Sequence, residues 1–205
     1  MREYYHSVTL NREKCMGCTN CIKRCPTEAI RVREGKARII DERCIDCGEC
    51  IRVCPYHAKT AVTDPLSIID RFRYKIALPA PTLFGQFKNL TNCNKVIYAL
   101  RKIGFDEVFE VARGADYATQ LLKEKLKMPD TRKPLISSAC PAIVRLIQVR
   151  FPNLIDHIAR VESPMEIAAQ LAKEEFCRNH KVPKEQVGAA RAVGRREDLL
   201  ARDFI

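Results

Sequence analysis

No apolar run in the 205 residues approaches the roughly 18 that a membrane-spanning helix needs; the longest candidates, at 76–85 and 135–144, are broken by proline, serine or threonine. No membrane span is expected. The opening MREYYHSVTLNREKC lacks the apolar stretch of a secretory leader, so the chain is expected to stay in the reducing cytoplasm. Nor is there a run of five like charges. The net charge of +11 is spread as +4 over residues 1–63, +5 over 64–180 and +2 over 181–205, too thinly for a nucleic-acid footprint. With 46% hydrophobic and 30% charged residues the chain is no disordered tail, and its length allows one large domain or two small ones.

What the chain does have is cysteine. Eight of its eleven cysteines fall between positions 15 and 54, and they repeat: Cys15, Cys18, Cys21 and Cys25 recur 29 positions later as Cys44, Cys47, Cys50 and Cys54. CMGCTNCIKRCP stands against CIDCGECIRVCP, with Ile22 matching Ile51 and Pro26 matching Pro55. Each half reads C-x₂-C-x₂-C-x₃-C-P, the spacing of a two-cluster bacterial ferredoxin. Three thiolates two residues apart curl around three corners of one iron–sulfur cube, and the fourth, before proline, heads for the other cube. The expected sets are Cys15, Cys18, Cys21 and Cys54 for one [4Fe–4S] cluster and Cys44, Cys47, Cys50 and Cys25 for the second. A disulfide framework would need an oxidising compartment. Zinc takes well-separated C-x-x-C pairs rather than three cysteines at two-residue steps. Gly17 and Gly48 sit in the ligand loops, where lack of a Cβ lets N–H groups turn toward sulfur. AIRVREGKARII alternates and turns at Glu34-Gly35, which predicts a hairpin, and YHSVTL predicts a strand pairing with the second half. Tyr4 and Tyr5 are expected to cover the second cluster half.

From Asp64-Pro65 onward the pattern changes to alternating strands and helices. Strands are predicted at 76–78, 107–111 and 135–139. A helix is predicted over 94–103, with Val96, Ile97, Leu100 and Ile103 on one face and Gly104 as its stop. Another is predicted over 116–126, with Leu121, Leu122 and Leu126 inward. Pro141 opens a third, and Ser163-Pro164-Met165-Glu166 is a capping box launching a fourth. This is an α/β half with a mainly parallel sheet, whose ligands would sit beyond the strand ends, near Pro79-Ala80-Pro81 and Ser138-Ala139-Cys140-Pro141. Residue types alone leave Cys140 either an inert cysteine or a thiolate ligand favoured by the helix start.

SSACPAIVRLIQVRFPNLIDHI followed by SPMEIAAQLAKE resembles the first active-site motif of iron-only ([FeFe]) hydrogenases. ALPAPTLFG and FDEVFEVARGAD resemble two further segments of that family, and the likeness covers about residues 1–180. The resemblance implies an α+β two-cluster ferredoxin-like domain (1–63), an incomplete α/β hydrogenase-like domain (64–180) and a divergent tail (181–205). It implies that Cys140 matches a ligand of the hydrogen-activating cluster, here vestigial, that Ser163 matches a serine of the proton route, and that Pro79 to Pro81 line the pocket. Departures are specific. Ala139 stands where catalytic members carry a proton-donating cysteine, and Leu122 and Lys125 stand where two proton-route glutamates would fall; an alanine methyl and a leucine cannot relay protons. The pattern is that of slow, sensory-type members.

No cysteine motif comparable to the family's later ones follows Cys140, so a hydrogen-activating cluster is not expected in this chain and no catalytic residue is assigned. GAARAVGRREDLLARDFI, with Arg191, Arg195, Arg196 and Arg202, shows no strand pattern, and a shortened or frame-shifted product is expected, a natural short form being the alternative. Cys93, Cys177, His57, His157 and His180 read as structural residues. The expected function is electron transfer through two [4Fe–4S] clusters, with a redox protein or a missing hydrogenase half as partner and no nucleic acid. The alternatives are a low-activity hydrogenase completed by a second chain and a redox-sensing regulator.

Overall fold

The structure is a computed structural model that describes residues 6–87 and 89–191. Tyr4, Tyr5, Arg195, Arg196 and Arg202 lie outside the described residues. The chain forms two compact units, one of residues 6–63 with Cys140–Ile158, the other of residues 64–139 with 159–191. No helix among the described residues is long and apolar enough to cross a membrane.

In the first unit, β1 (Val8–Leu10) leads to the first cysteine loop and the short helix α1 (Asn20–Arg24). The hairpin β2 (Ile30–Arg33) and β3 (Lys36–Ile39) follows, then the second cysteine loop with α2 (Glu49–Arg52), and β4 (Lys59–Ala61). The hairpin turns where its residues predicted: Glu34 and Gly35 both take positive φ (52° and 68°), as a two-residue turn matching strand twist requires. β1 pairs antiparallel with β4, Val8 opposite Ala61 and Leu10 opposite Lys59, so the strand before the first motif is tied to the strand after the second. The apolar centre is small: Cys15, Cys21, Ile30, Ala37 and Ala58 are its buried members, with Cys25, Cys50 and Cys54 packed beside them. A core made so largely of cysteine and alanine buries little area, which leaves bound metal as the main source of cohesion. The helix α6 of this unit (Pro141–Arg150) begins with proline in its first turn, as its sequence predicted. Arg145 Nη2 donates to the Glu42 carbonyl at 3.1 Å.

The second unit is built on β5 (Tyr74–Leu78), with α3 (Pro81–Phe84), α4 (Asn94–Ile103), β6 (Glu107–Val108), α5 (Val111–Lys127), α7 (Pro164–His180) and β7 (Val187–Arg191). The sheet order is β6-β5-β7, and both pairings are parallel. β5 is therefore central and buried on both faces. Ile76 and Leu78 join Phe109, Val111, Phe176, Val187 and the alanines of α7 on one side. Ala77 meets Ile69 and Phe105 on the other, with Leu100 packed against them. α4 ends at Gly104 with φ 116°, the stop its sequence predicted. The capping box of α7 is complete: the Glu166 N–H donates to Ser163 Oγ at 3.3 Å, and the Ser163 N–H donates to Glu166 Oε2 at 2.9 Å.

Five expectations for this unit are corrected. The tail does contain a strand: β7 pairs along the whole of β5, and its Val187 and Ala189 are fully buried. Its pattern escapes detection because a strand buried on both faces does not alternate, and because Gly188 and Ala189 are poor strand formers that pairing overrides. The 135–139 segment is not a strand; Ile136 makes only an isolated bridge, accepting from the Ala159 N–H at 2.7 Å. The strand at 107 is only two residues long, because the helix begins at Val111 rather than Asp116. That helix faces inward through Val111, Gly114 and Ala118, while Leu121 and Leu126 are exposed. The reason is proximity. A Cβ on Gly114 would lie 2.8 Å from Ala168 N and closer still to the Pro164 carbonyl, so α7 approaches too near for leucine. Ile103, the last residue of α4, is likewise exposed.

Candidate metal centres

The first unit brings its eight motif cysteines into two groups. One cavity is lined by Cys15, Cys18, Cys21 and Cys54, with Gly17 and Lys59; the other by Cys25, Cys44, Cys47 and Cys50, with Ile30 and Asp46. Each group holds three cysteines of one motif and the last cysteine of the other. All eleven cysteines of the chain are free thiols.

Local backbone explains the grouping. Gly17 (φ 63°) and Gly48 (φ 72°) take left-handed conformations, as do Thr19 (φ 64°) and Asp46 (φ 57°), so both ligand loops bend at two points. At Gly17 the bend is crowded: a Cβ would lie 2.5 Å from the Gly35 carbonyl oxygen, so the hairpin turn presses directly on the loop. After each motif the chain turns back toward its last cysteine. The Ala29 N–H donates to Cys25 Sγ at 3.2 Å, the Ala58 N–H to Cys54 Sγ at 3.3 Å, and from β3 the Ala37 N–H to Cys15 Sγ at 3.4 Å. Four cysteines around each cavity, with N–H groups already aimed at sulfur, form a donor set that fits an iron–sulfur cube.

The electrostatics of the two groups differ. For Cys15, burial pushes the thiol up, but the Ala37 and Gly17 N–H groups and the charges of Lys59 and Lys36 outweigh it, and the net shift is downward. Burial pushes Cys21 up, opposed by Lys59. In the other group burial pushes Cys44 up to about 11, with the Asp46 carboxylate adding to it against a bond from the Asp46 N–H. Burial likewise pushes Cys50 up to about 12. Asp46 is itself 4% exposed, and its Oδ2 accepts from both the Ser7 N–H (2.9 Å) and the Ser7 hydroxyl (3.0 Å). Lys36 Nζ donates to the Cys15 carbonyl at 2.8 Å. A carboxylate oxygen of Asp46, Cys44 Sγ and a ring nitrogen of His6 lie within 4.8 Å of one another, but Cys44 belongs to the four-cysteine group, so this is no separate metal site. Sequence reasoning missed Asp46, Lys59, Lys36 and Ser7. The signal was present for two of them, because the 29-residue repeat aligns Asp46 with Gly17 and Lys59 with Ile30, charged residues against uncharged ones.

The residues matched to the hydrogen-activating site are spread differently. Cys140 is exposed and caps α6 without a side-chain bond; Ala139, just before it, is exposed too. Pro79 is fully buried, and Pro81, exposed, opens α3. Ser163 holds the cap of α7; Leu122 and Lys125 lie half-buried on α5. Cys93 is exposed at the start of α4, and Cys177 packs against the sheet core. His57 is an exposed loop residue, and His180 stacks on Phe176 at 4.2 Å.

Residues 73–188 match the family described as "Iron only hydrogenase large subunit, C-terminal domain", and residues 7–55 match the "4Fe-4S dicluster domain". Among curated proteins, the periplasmic [Fe] hydrogenase large subunit of Nitratidesulfovibrio vulgaris is 30% identical, over 89% of this chain and 48% of its own length. Iron hydrogenase 1 of Clostridium pasteurianum is 27% identical, over 82% of this chain and 34% of its own. The cytosolic Fe-S cluster assembly factor NAR1 of Yarrowia lipolytica is also 27% identical, over 87% and 34%. The chain thus spans about half or less of the length of these relatives. Among solved structures, a variant of [FeFe]-hydrogenase HydA1 from Chlamydomonas reinhardtii superposes with a TM-score of 0.48 at 22% identity, covering 62% of this chain and 34% of that one.

Proposed function

Since the chain belongs to the iron-only hydrogenase large-subunit family, we propose that it serves as an electron carrier of that family, in the cytoplasm, where thiols stay reduced. In this reading residues 1–63 hold two [4Fe–4S] clusters in crossed fashion, Cys15, Cys18, Cys21 and Cys54 at one and Cys44, Cys47, Cys50 and Cys25 at the other. Residues 64–180 are the hydrogenase-like part and 181–205 the divergent tail, of which Val187–Arg191 pairs with β5. Each bound cluster would supply storage for a single electron at a time. The protein's contribution is to hold the thiolates, donate N–H groups to their sulfurs and exclude water. The observation that supports the reading is the grouping of eight cysteines into two cavities, each drawing one cysteine from the other motif.

No proton-transferring residue is assigned. Ala139, Leu122 and Lys125 occupy the positions at which the resemblance calls for a cysteine and two glutamates, so this chain by itself is not proposed to turn over hydrogen. A redox protein, or a further hydrogenase portion, would take up the electrons.

Substituting Cys25 by alanine tests the crossed assignment. The anaerobically reconstituted full chain should carry about eight irons, and Cys25→Ala should lower that to about half, with loss of the signal belonging to the Cys44 set. Even loss from both centres, or loss from the Cys15 set, refutes the assignment. Appreciable hydrogen turnover by the reconstituted chain alone refutes the carrier reading.

A further inference from the structure

We propose that buried charges of opposite sign, Asp46 beside the Cys44 set and Lys59 beside the Cys15 set, separate the reduction potentials of the two centres and make the Cys15 set the resting place of the electron. The inference rests on the two-cluster reading above.

The sequence repeat provides its own control. Moving 29 positions along the chain carries Gly17 to Asp46 and Ile30 to Lys59. The structure keeps that correspondence, since Gly17 and Lys59 line one cavity while Asp46 and Ile30 line the other. Among the lining positions that the repeat aligns, these two set a buried charge at one site against a neutral residue at the other, both in the same sense; a third pair, Asn20 against Glu49, adds a carboxylate on the Cys44 side that is ion-paired to Arg52. The Cys15 set has a buried cation and a neutral glycine. The Cys44 set has a buried anion and a neutral isoleucine.

Neither charge is a surface accident. Lys59 is 2% exposed, in a strand whose backbone is tied to β1, and Asp46 is 4% exposed. Ser7 fixes the Asp46 carboxylate through one oxygen; the other, Oδ1, is buried with no hydrogen-bond partner among the described residues. That carboxylate lies within 4.8 Å of Cys44 Sγ. Lys36, bound to the Cys15 carbonyl, adds a second cation on the Cys15 side. The equivalent Ala29 and Ala58 N–H groups serve Cys25 and Cys54 at nearly the same distance and so do not separate the sets, while the Ala37 N–H on Cys15 Sγ acts in the same direction as the lysines.

Added negative charge opposes uptake of an electron and added positive charge favours it, most strongly where water is excluded. A single electron entering at the Cys44 set then passes to the Cys15 set. The first is reoxidised by one electron as the second is reduced by one, with no bond made or broken and no proton carried. The field of Lys59 also reaches Cys50 of the other set, so its removal should lower both potentials, the higher one more.

The test is a reductive titration of the anaerobic, reconstituted full chain with dithionite and redox mediators, followed by electron paramagnetic resonance. The wild type should reduce in two one-electron steps at least tenfold apart in partition, about 59 mV for one electron. Asp46→Asn should raise the lower step and leave the upper in place. Lys59→Gln should lower the upper step more than the lower, and Lys59→Arg should restore the separation. Both neutralising substitutions thus narrow the gap, from opposite sides. Coincident steps in the wild type, or a gap unchanged or widened by Lys59→Gln, overturn the inference, whether or not Asp46→Asn takes up its iron. Full iron content with unmoved steps overturns this inference alone; iron far below about eight per chain overturns the two-cluster reading and this inference with it.

Discussion

Replacing Gly17 by alanine should damage one metal centre, and the same replacement at Gly48 should leave both nearly intact. Both glycines have left-handed backbones, with φ of 63° and 72°. Alanine in that conformation costs about 1–2 kcal/mol at either position. The surroundings separate them. A Cβ at Gly48 meets nothing within 4 Å, whereas at Gly17 it would stand 2.5 Å from the Gly35 carbonyl oxygen and 2.9 Å from its carbon. Backbone cannot swing aside as a side chain can, so the added cost is that of forced overpacking, about 1–3 kcal/mol. The totals are roughly 2–5 kcal/mol for Gly17→Ala and about 1–2 kcal/mol for Gly48→Ala.

The strain at Gly17 has an address. Gly35 is in the hairpin turn, two residues before Ala37, whose N–H is bonded to Cys15 Sγ, and next to Lys36, whose ammonium is bonded to the Cys15 carbonyl. Pushing the turn away pulls both groups from the Cys15 set. The Cys44 set has its own loop and should persist. Asp46, equivalent to Gly17 in the repeat, carries a side chain at φ 57°, so the left-handed backbone alone does not forbid one. The assay is iron per chain and the temperature at which visible absorbance is lost, measured anaerobically on the full chain. Gly17→Ala should lose iron from the Cys15 set and bleach at markedly lower temperature; Gly48→Ala should keep its iron with a small shift. Equal damage from the two substitutions would refute the steric reasoning.

Gly114→Ala should destabilise the second unit by about 1–3 kcal/mol despite the better helix propensity of alanine, because its methyl would meet α7 backbone at Ala168; urea unfolding followed by circular dichroism reads the loss, and unchanged or higher stability counts against that close approach. A chain ending after His180 lacks β7, exposing the hydrogen-bonding edge of β5 and the buried faces of Ile76 and Leu78. It should aggregate, and a monomeric, fully folded product on size-exclusion chromatography would show that β7 is dispensable.

The features read correctly from sequence were those with local causes. The Glu34-Gly35 turn, the Gly104 stop and the Ser163 capping box each depend on a few neighbouring residues, and each is found where its residues predicted. The failures have long-range causes. VGAAR is a strand because β5 offers it an edge, not because its residues favour extension. Gly114 and Ala118 face the core because α7 comes close, while the more apolar Leu121 and Leu126 face solvent. The segment at 135–139 has the composition of a strand but finds no partner among the described residues beyond the bridge at Ile136. Lys59 was the hardest to read, since a lysine in a short strand is ordinarily a solvent-facing residue. Only the fold reveals that it lines a cysteine cavity.

The positions that the resemblance matches in the two parts of the chain divide by the particle they would move. For electrons, the machinery is whole: eight thiols in two groups, with N–H donors from Ala29, Ala37 and Ala58. For protons, the positions that the resemblance matches carry other groups. Ala139 offers a methyl group where the resemblance calls for a proton-donating thiol, and Leu122 has nothing to ionise. Lys125 carries an ammonium where the resemblance calls for a carboxyl. Ser163 retains a hydroxyl, yet its Oγ accepts from the Glu166 N–H at 3.3 Å and donates to Glu166 Oε2 at 2.8 Å. A hydroxyl occupied in that way secures the first turn of α7, whose Ala168, Ala169 and Ala172 pack on the sheet. The serine that the resemblance assigns to proton transfer therefore has a sufficient structural reason to be there. The proposed function follows the same division, giving electron transfer to this chain's cysteines and assigning no proton transfer to the matched positions.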